Sequence, residues 1–212
     1  ATAVAGSGVH IKKISVAPMD KHLIGEHLKW EAEQYIPYPI NEVNLAHHVL
    51  DLGAHSSETE VLLVAAKKEL VARAAECLVL ADLECAIVDV SPFALANCYD
   101  FNYGISKPNP TILLNIGSSI TNFVITYKGQ ILLCREIYVG GQTYTNEIQK
   151  QLGISASEAE ILKLDSITSD HPAQEVMSAI ETAHEQVCAE IRSTLDFAIS
   201  SPLYATIAVP SN

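Results

Sequence analysis

Thr111-Ile112-Leu113-Leu114-Asn115-Ile116-Gly117-Ser118-Ser119-Ile120-Thr121-Asn122-Phe123-Val124-Ile125-Thr126-Tyr127 is the stretch whose reading decides the fold. Two apolar, β-prone runs, Thr111–Ile116 and Ile120–Tyr127, flank three small residues, a pattern that reads as a β-hairpin. Small side chains at its tip let the backbone N–H groups of Gly117, Ser118 and Ser119 approach an anion such as a phosphate, with the hydroxyls of Ser118, Ser119 and Thr121 alongside. An ordinary tight hairpin satisfies the same pattern, so the surrounding chain has to decide between the two.

Downstream, Lys128-Gly129 turns into a third strand, Gln130–Val139, which makes a meander. Gly140-Gly141 offers a second place where backbone can come close to a ligand, and leads into a helix over Gln142–Leu152 that Gly153 ends. Ser155 and Glu158 are spaced as a capping box for a short helix through Lys163. On that helix Glu160 and Lys163, three residues apart, share a face, a polar pair suited to a ribose or base and equally to plain solvent. Residues 164–171 read as polar and loose, and Pro172–Ile199 as a long helix carrying Val176, Ile180, Val187, Ile191, Leu195 and Ala198.

Upstream, residues 3–6 and 9–16 read as strands around Gly6-Ser7-Gly8. A dinucleotide fingerprint is excluded there, because Ile11 stands where a third glycine is needed and a strand follows instead of a helix. Asp20 can cap a helix to Tyr35, with Leu23, Ile24, Leu28, Ala32 and Tyr35 at helical spacing, and Ile36-Pro37-Tyr38-Pro39-Ile40 stops it. Strands over 43–52, 61–66 and 85–90 follow, with a polar loop at 53–59 and a helix over 67–81. Ser91-Pro92 starts another helix, serine as N-cap and proline in the first turn. Tyr103–Pro110 is the best candidate for a domain boundary. Alternating strands and helices make this an α/β chain with mixed sheets.

The chain has 212 residues, 49% hydrophobic and 18% charged, which is a globular composition large enough for a real core. Its formal charge of −12 repels phosphate backbones and anionic lipid, so nucleic acid is excluded as a partner. Five scattered cysteines without a Cys-x-x-Cys fit a reducing compartment, where they are expected as small core residues. No apolar run approaches the ~18 residues that cross a bilayer. The start at Ala1-Thr2-Ala3-Val4-Ala5 and the strand-like Ala205–Val209 both suggest a piece of something longer.

Two common chemistries are set aside. His47 and His48, adjacent on a strand, point to opposite faces, and His184-Glu185 lacks the second histidine of a zinc helix, so no metal site is expected. Gly117-Ser118-Ser119-Ile120 lacks the second glycine and the helix that a nucleophilic serine requires, so no catalytic residue is assigned.

Taken together, Asn115-Ile116-Gly117-Ser118-Ser119-Ile120-Thr121, Gly140-Gly141 and Ala159-Glu160-Ile161-Leu162-Lys163 resemble the second phosphate loop, the glycine pair and the nucleoside-side segment of the actin-like ATPase superfamily. Within it, Trp30-Glu31-Ala32-Glu33-Gln34-Tyr35-Ile36-Pro37-Tyr38-Pro39-Ile40-Asn41-Glu42-Val43-Asn44 resembles the type IV pilus assembly family PilM, as do Val61–Lys68, Val88–Val90 with Phe93–Asn97, and Gly140–Leu152. The resemblance thins between Leu164 and Val187.

It implies an incomplete actin-like, FtsA-like fold of mixed β-sheets and flanking helices. The first lobe would span 1–108, with 9–82 as an inserted small subdomain and 83–108 as a return to the lobe core. The second would span 109–212, with 109–150 and 203–212 as core sheet and 151–200 as a helical outer subdomain. It also implies ATP with Mg²⁺ in the intact parent, held by Asn115, Gly117, Ser118, Ser119, Thr121, Gly140, Gly141, Glu160 and Lys163. Members sit on the cytoplasmic face of the inner membrane, capture the N-terminal cytoplasmic tail of PilN, and meet other platform proteins of the pilus used in twitching motility.

The residues of 30–44 suit such a role. Trp30, Tyr35 and Tyr38 are flat and amphipathic, Ile36, Pro37 and Pro39 hold an extended segment at a helix end, and Glu31, Glu33 and Glu42 would suit a basic ligand residue. The same aromatics could instead knit the small subdomain together. Three features depart from the superfamily pattern. Its first phosphate loop and its closing glycine pair are not in this chain, and Asn115 stands where an aspartate would hold Mg²⁺ or its water shell, which a neutral amide does less well. The expectation is therefore a binding and assembly module that holds no nucleotide by itself. A catalytically active actin-fold ATPase and a filament-forming homologue are the alternatives, and the oligomeric state stays open.

Overall fold

The computed structural model describes residues 1–50, 59–104, 109–169 and 173–200. Its contacts group Ala1–Thr111 with Ile125–Cys134 in one compact unit, and Ile112–Val124 with the described residues from Arg135 onward in another.

In the first unit, β1 (Thr2–Val4) and β2 (Val9–Val16) are followed by α1 (Lys21–Tyr35), a 3-10 turn at Ile40–Glu42, β3 (Val43–Val49), β4 (Thr59–Lys67), α2 (Lys68–Leu80), β5 (Val88–Val90) and α3 (Ser91–Tyr103). β2, β4 and β3 form an antiparallel sheet with β4 in the middle, and β1 pairs in parallel with β5. β4 is buried on both faces, which is why its sequence is a continuous apolar run instead of an alternating one. Val61, Leu63 and Ala65 meet Ile24, Leu28 and Ala32, the four-residue-spaced stripe of α1. Val64 and Ala66 point the other way, into a second cluster with Val4 and Val90. One strand thereby holds two cores together, and each fully buried aliphatic side chain contributes about 1.5–3 kcal/mol.

Asp20 occupies the N-cap position of α1 in extended geometry but makes no side-chain cap bond, and Ile36 ends the helix in extended geometry ahead of Pro37. β2, paired along its whole length with β4, confirms that Gly6-Ser7-Gly8 opens a strand and not a dinucleotide-binding helix. The expected strand at 85–90 shrinks to three residues, because only Val88–Val90 find a partner, in β1. Val90 takes the N-cap position of α3 and Ser91 is already helical, so the helix starts one residue earlier than expected, with Pro92 in the first turn.

The third sheet is ordered β6 (Thr111–Ile116), β7 (Thr121–Tyr127) and β8 (Gln130–Ile137). Lys128 and Gly129 both have positive φ, 50° and 74°, the signature of the two-residue turn that matches strand twist. In the second unit come α4 (Gly141–Leu152), α5 (Ala156–Thr168) and α6 (Gln174–Ser200), packed around Ile148, Ala159, Val176 and Ala179. Gly153 ends α4 in the left-handed region at φ 66°, and Ser155 with Glu158 forms the capping box of α5. α5 continues five residues past Lys163, so the loose segment expected from Leu164 is helical to Thr168 instead, and the hydroxyls of Ser166 and Thr168 donate back to the carbonyls of Lys163 and Asp165.

The cysteines are not core residues. Cys77 and Cys98 are exposed, Cys85, Cys134 and Cys188 are half-buried, and none is in a disulfide. Cys77 is exposed because α2 contributes no buried residue at all. The strand end and loop expected over 51–58, the middle of the 103–110 linker, residues 170–172 and the core-sheet segment 203–212 lie outside the described residues.

Candidate functional site

The hairpin tip and the glycine pair meet through their backbones. Gly117 N–H donates to the Ile120 carbonyl at 3.0 Å, which closes the turn between β6 and β7. The carbonyls of Gly117 and Ser118 then accept from the N–H groups of Gly141 and Gln142 at 2.9 and 2.7 Å. These are first-turn donors of α4, which a helix cannot satisfy from within, so the hairpin tip caps the helix. Gly140 N–H donates to the Thr143 hydroxyl at 3.2 Å, completing the N-terminus.

This apposition explains the first glycine of the pair. A Cβ at position 140 would lie 2.4 Å from the Gly117 oxygen and 2.7 Å from that of Ser118, a backbone collision on both counts. The backbone that comes close to Gly140 in the structure is the chain's own, where the sequence pattern suggested a ligand.

Lys163 gathers the other end. Its ammonium donates to the Gly141 carbonyl at 3.2 Å, the Thr145 hydroxyl at 2.9 Å and Glu160 at 2.7 Å. Thr145 donates in turn to Glu160. Glu160, first through Lys163 and then through Thr145, is held below its ordinary value of 4.5. Lys163 is 17% exposed and Glu160 is 44% exposed, so the pair sits at an edge with one carboxylate face in solvent. Beside it lies a cavity of about 370 Å³ lined by Tyr144, Lys163, Ser166, Ile167, Met177 and Ile180.

Of the nine residues expected around a nucleotide, the structure brings Gly117, Ser118, Gly140 and Gly141 into one backbone junction, and Gly141, Glu160 and Lys163 into one polar cluster. Thr121 is fully buried and its hydroxyl donates to the Val139 carbonyl at 2.8 Å, locking the start of β7 to the chain beyond β8. Asn115, Ser118 and Ser119 are exposed. Sequence reasoning missed Thr145, which joins Glu160 to Lys163 from one turn into α4, and Tyr144 in the cavity wall; four-residue spacing from Gly141 was the available signal for Thr145. It also missed Asn122, 5% exposed, whose amide oxygen has no hydrogen-bond partner among the described residues.

In the first unit, Trp30 is 85% exposed and Ile36 is 6% exposed, in the core with Ile24 and Leu28. Tyr35 and Tyr38 are half-buried against that core, and Pro37 and Pro39 are exposed. Tyr38 is pinned: its hydroxyl donates to the Ser7 carbonyl and the Lys67 ammonium lies 4.5 Å above its ring. Lys68 donates to the Asn41 carbonyl at 2.8 Å, fastening the far end of the proline segment. Among the described residues there is no cluster of three metal-ligating side chains, and His47 and His48 are exposed.

The model of the type IV pilus assembly protein PilM family matches residues 1–209. The chain belongs to that family. A solved structure described as the PilM-PilN type IV pilus biogenesis complex superposes with a TM-score of 0.78 at 27% identity, over 92% of this chain and 56% of that one. The chain therefore spans little more than half the length of that solved chain. MreB 5 of Spiroplasma citri bound to AMPPNP, and MreB5 of the same organism bound to ADP, match over 65% of this chain and 50% of theirs, at 19% and 18% identity and TM-scores of 0.41 and 0.44. The fold is the mixed α/β fold of the PilM family, and no helix among the described residues is long and apolar enough to cross a membrane.

Two outcomes follow from the junction. Gly140→Ala should force the hairpin tip off α4 and cost about 1–3 kcal/mol, read as a lowered denaturant midpoint. A carboxyl held low stabilises the fold above its unfolded pKa and loses that contribution as pH falls through the folded one. The Glu160 carboxyl should therefore titrate below 4.5 by NMR, and Lys163→Met should move its midpoint up.

Proposed function

We propose that this chain is an assembly module of the type IV pilus machinery that works at the cytoplasmic face of the inner membrane by holding the N-terminal cytoplasmic tail of PilN. The observation that carries the reading is the family match over residues 1–209, joined to the likeness to a chain solved as a PilM-PilN complex. The surface offered to the tail is the segment from the end of α1 through Pro39. Exposed Trp30, Pro37 and Pro39 present area to a peptide, while half-buried Tyr35 and Tyr38, the latter fixed by Ser7 and Lys67, keep the segment from moving. Preorganised segments lose less entropy on binding. Glu31, Glu33 and Glu42 would meet basic residues of the tail.

We propose further that the second unit contributes to an ATP site. Tyr144, Lys163, Ile167, Met177 and Ile180 fit a flat heteroaromatic base, in a cavity of about 370 Å³ with a cation at its edge. Glu160 would take a ribose hydroxyl, and exposed Ser118 and Ser119 would face phosphate. Gly117 N–H and the Thr121 hydroxyl are already committed to Ile120 and Val139. With neutral Asn115 in place of a carboxylate, the residues fit binding better than hydrolysis.

Calorimetry with a synthetic PilN-tail peptide tests the first reading. Binding is expected, weakened by Trp30→Ala, which touches no core, and by Tyr35→Ala and Tyr38→Ala by about 1–2 kcal/mol each. A silent titration, or three variants indistinguishable from the parent, would remove the partner site. A separate titration with ATP and Mg²⁺ should show no phosphate release; micromolar binding with turnover would replace the scaffold reading by an ATPase.

A further inference from the structure

Tyr144, His184 and Cys188 form a cluster to which neither the partner surface nor the nucleotide reading gives a role as a unit. His184 and Cys188 stand four residues apart on α6, so they share one face of the helix. The Cys188 sulfur lies 3.4 Å from His184 Nε2, and the other ring nitrogen, Nδ1, lies 3.3 Å from the Tyr144 hydroxyl on α4. A nucleophile, a base and a third group that orients the base is the arrangement by which proteins activate a thiol. Buried Ala183 and Val187 seat this stretch of α6, so the ring and the thiol are carried on a fixed backbone. Yet His184 is exposed and Cys188 half-buried, so a small reagent can reach the sulfur.

We propose that Cys188 is a modification site, a thiol that His184 activates toward peroxides and small soft electrophiles. With Nδ1–H donating to the Tyr144 oxygen, Nε2 turns its lone pair to the thiol and takes its proton as the sulfur attacks. With a hydroperoxide, the S–O bond forms as the O–O bond breaks; the thiol is oxidised to a sulfenic acid, and the leaving oxygen takes the proton from His184 and departs as water or alcohol. With an alkyl halide, the S–C bond forms, halide leaves, and the proton passes to solvent. Burial, and next the negative charge that Cys188 can carry, raise Tyr144 above its ordinary 10.0, so the phenol keeps its proton throughout.

The chain contains its own controls. Cys77 and Cys98 are more exposed than Cys188, and Cys98 sulfur meets the Asn102 amide at 3.6 Å, which is no base. If exposure alone governed reactivity, both would react first.

Limited labelling of the whole chain with iodoacetamide at neutral pH, read peptide by peptide by mass spectrometry, decides between the two. Cys188 is expected to label several-fold faster than Cys77 and Cys98. His184→Gln, at an exposed position, should bring Cys188 to or below their rate while theirs stay constant, and Tyr144→Phe should give a smaller loss. With limiting hydrogen peroxide, a sulfenic acid probe should mark Cys188 first. Cys188 labelling no faster than Cys77 and Cys98 in the unaltered chain overturns the proposal without recourse to any variant, as does a rate that His184→Gln leaves unchanged.

Discussion

Two backbone hydrogen bonds, from Gly141 to Gly117 and from Gln142 to Ser118, hold the second unit in register. They join a turn whose carbonyls have no strand partner to a helix end whose N–H groups have no helical partner. Each group would cost about 1–3 kcal/mol if buried unpaired, and bringing them together satisfies both ends at once. The contact demands bare backbone, hence Gly140 beneath the Gly117 and Ser118 carbonyls.

The polar cluster behind the junction extends the same logic. Gly141 donates its N–H to the hairpin tip and receives the Lys163 ammonium on its carbonyl, so one residue of α4 links the β6–β7 turn to α5. Lys163 is four-fifths covered and would be costly there without its three acceptors. Glu160 offsets its charge, and Thr145 fixes the carboxylate from the side. Each member therefore depends on the others for its satisfaction, and the cluster acts as a unit.

What the sequence made legible was local chemistry. The hairpin, the turn at Lys128-Gly129, the capping box at Ser155 and the stop at Gly153 are all written in residues whose backbone preferences are strong, and the structure contains each of them. The glycine pair suggested room for a ligand, and at Gly140 that room is taken by the carbonyls of Gly117 and Ser118. Thr121 looked like a ligand hydroxyl because a hydroxyl at a turn has no address in the sequence; its address is Val139, eighteen residues on. The cysteines misled for a related reason: their type is among the most buried on average, while their positions, Cys77 on the outer α2 and Cys98 beside Asn102, are decided by tertiary packing.

The segment from Trp30 to Pro39 shows how rigidity and display divide between neighbouring residues. Ile36 is in the core and Tyr35 leans on it, so neither could move to meet a partner without breaking the contact with Leu28 and Ile24. Tyr38 is tied at both its hydroxyl and its ring face. Between and beside them, Pro37 and Pro39 are exposed and cannot donate backbone bonds, while the Ile36 N–H and the Pro39 carbonyl tie the two ends of the segment to Ala32 and Glu42. A flexible loop of the same composition would lose its ordering entropy on binding, at about 1–2 kcal/mol per residue. Here folding has already fixed the segment, and the same fixation leaves Trp30 as the one aromatic of 30–39 that stands clear of the core, so its removal should leave stability nearly unchanged.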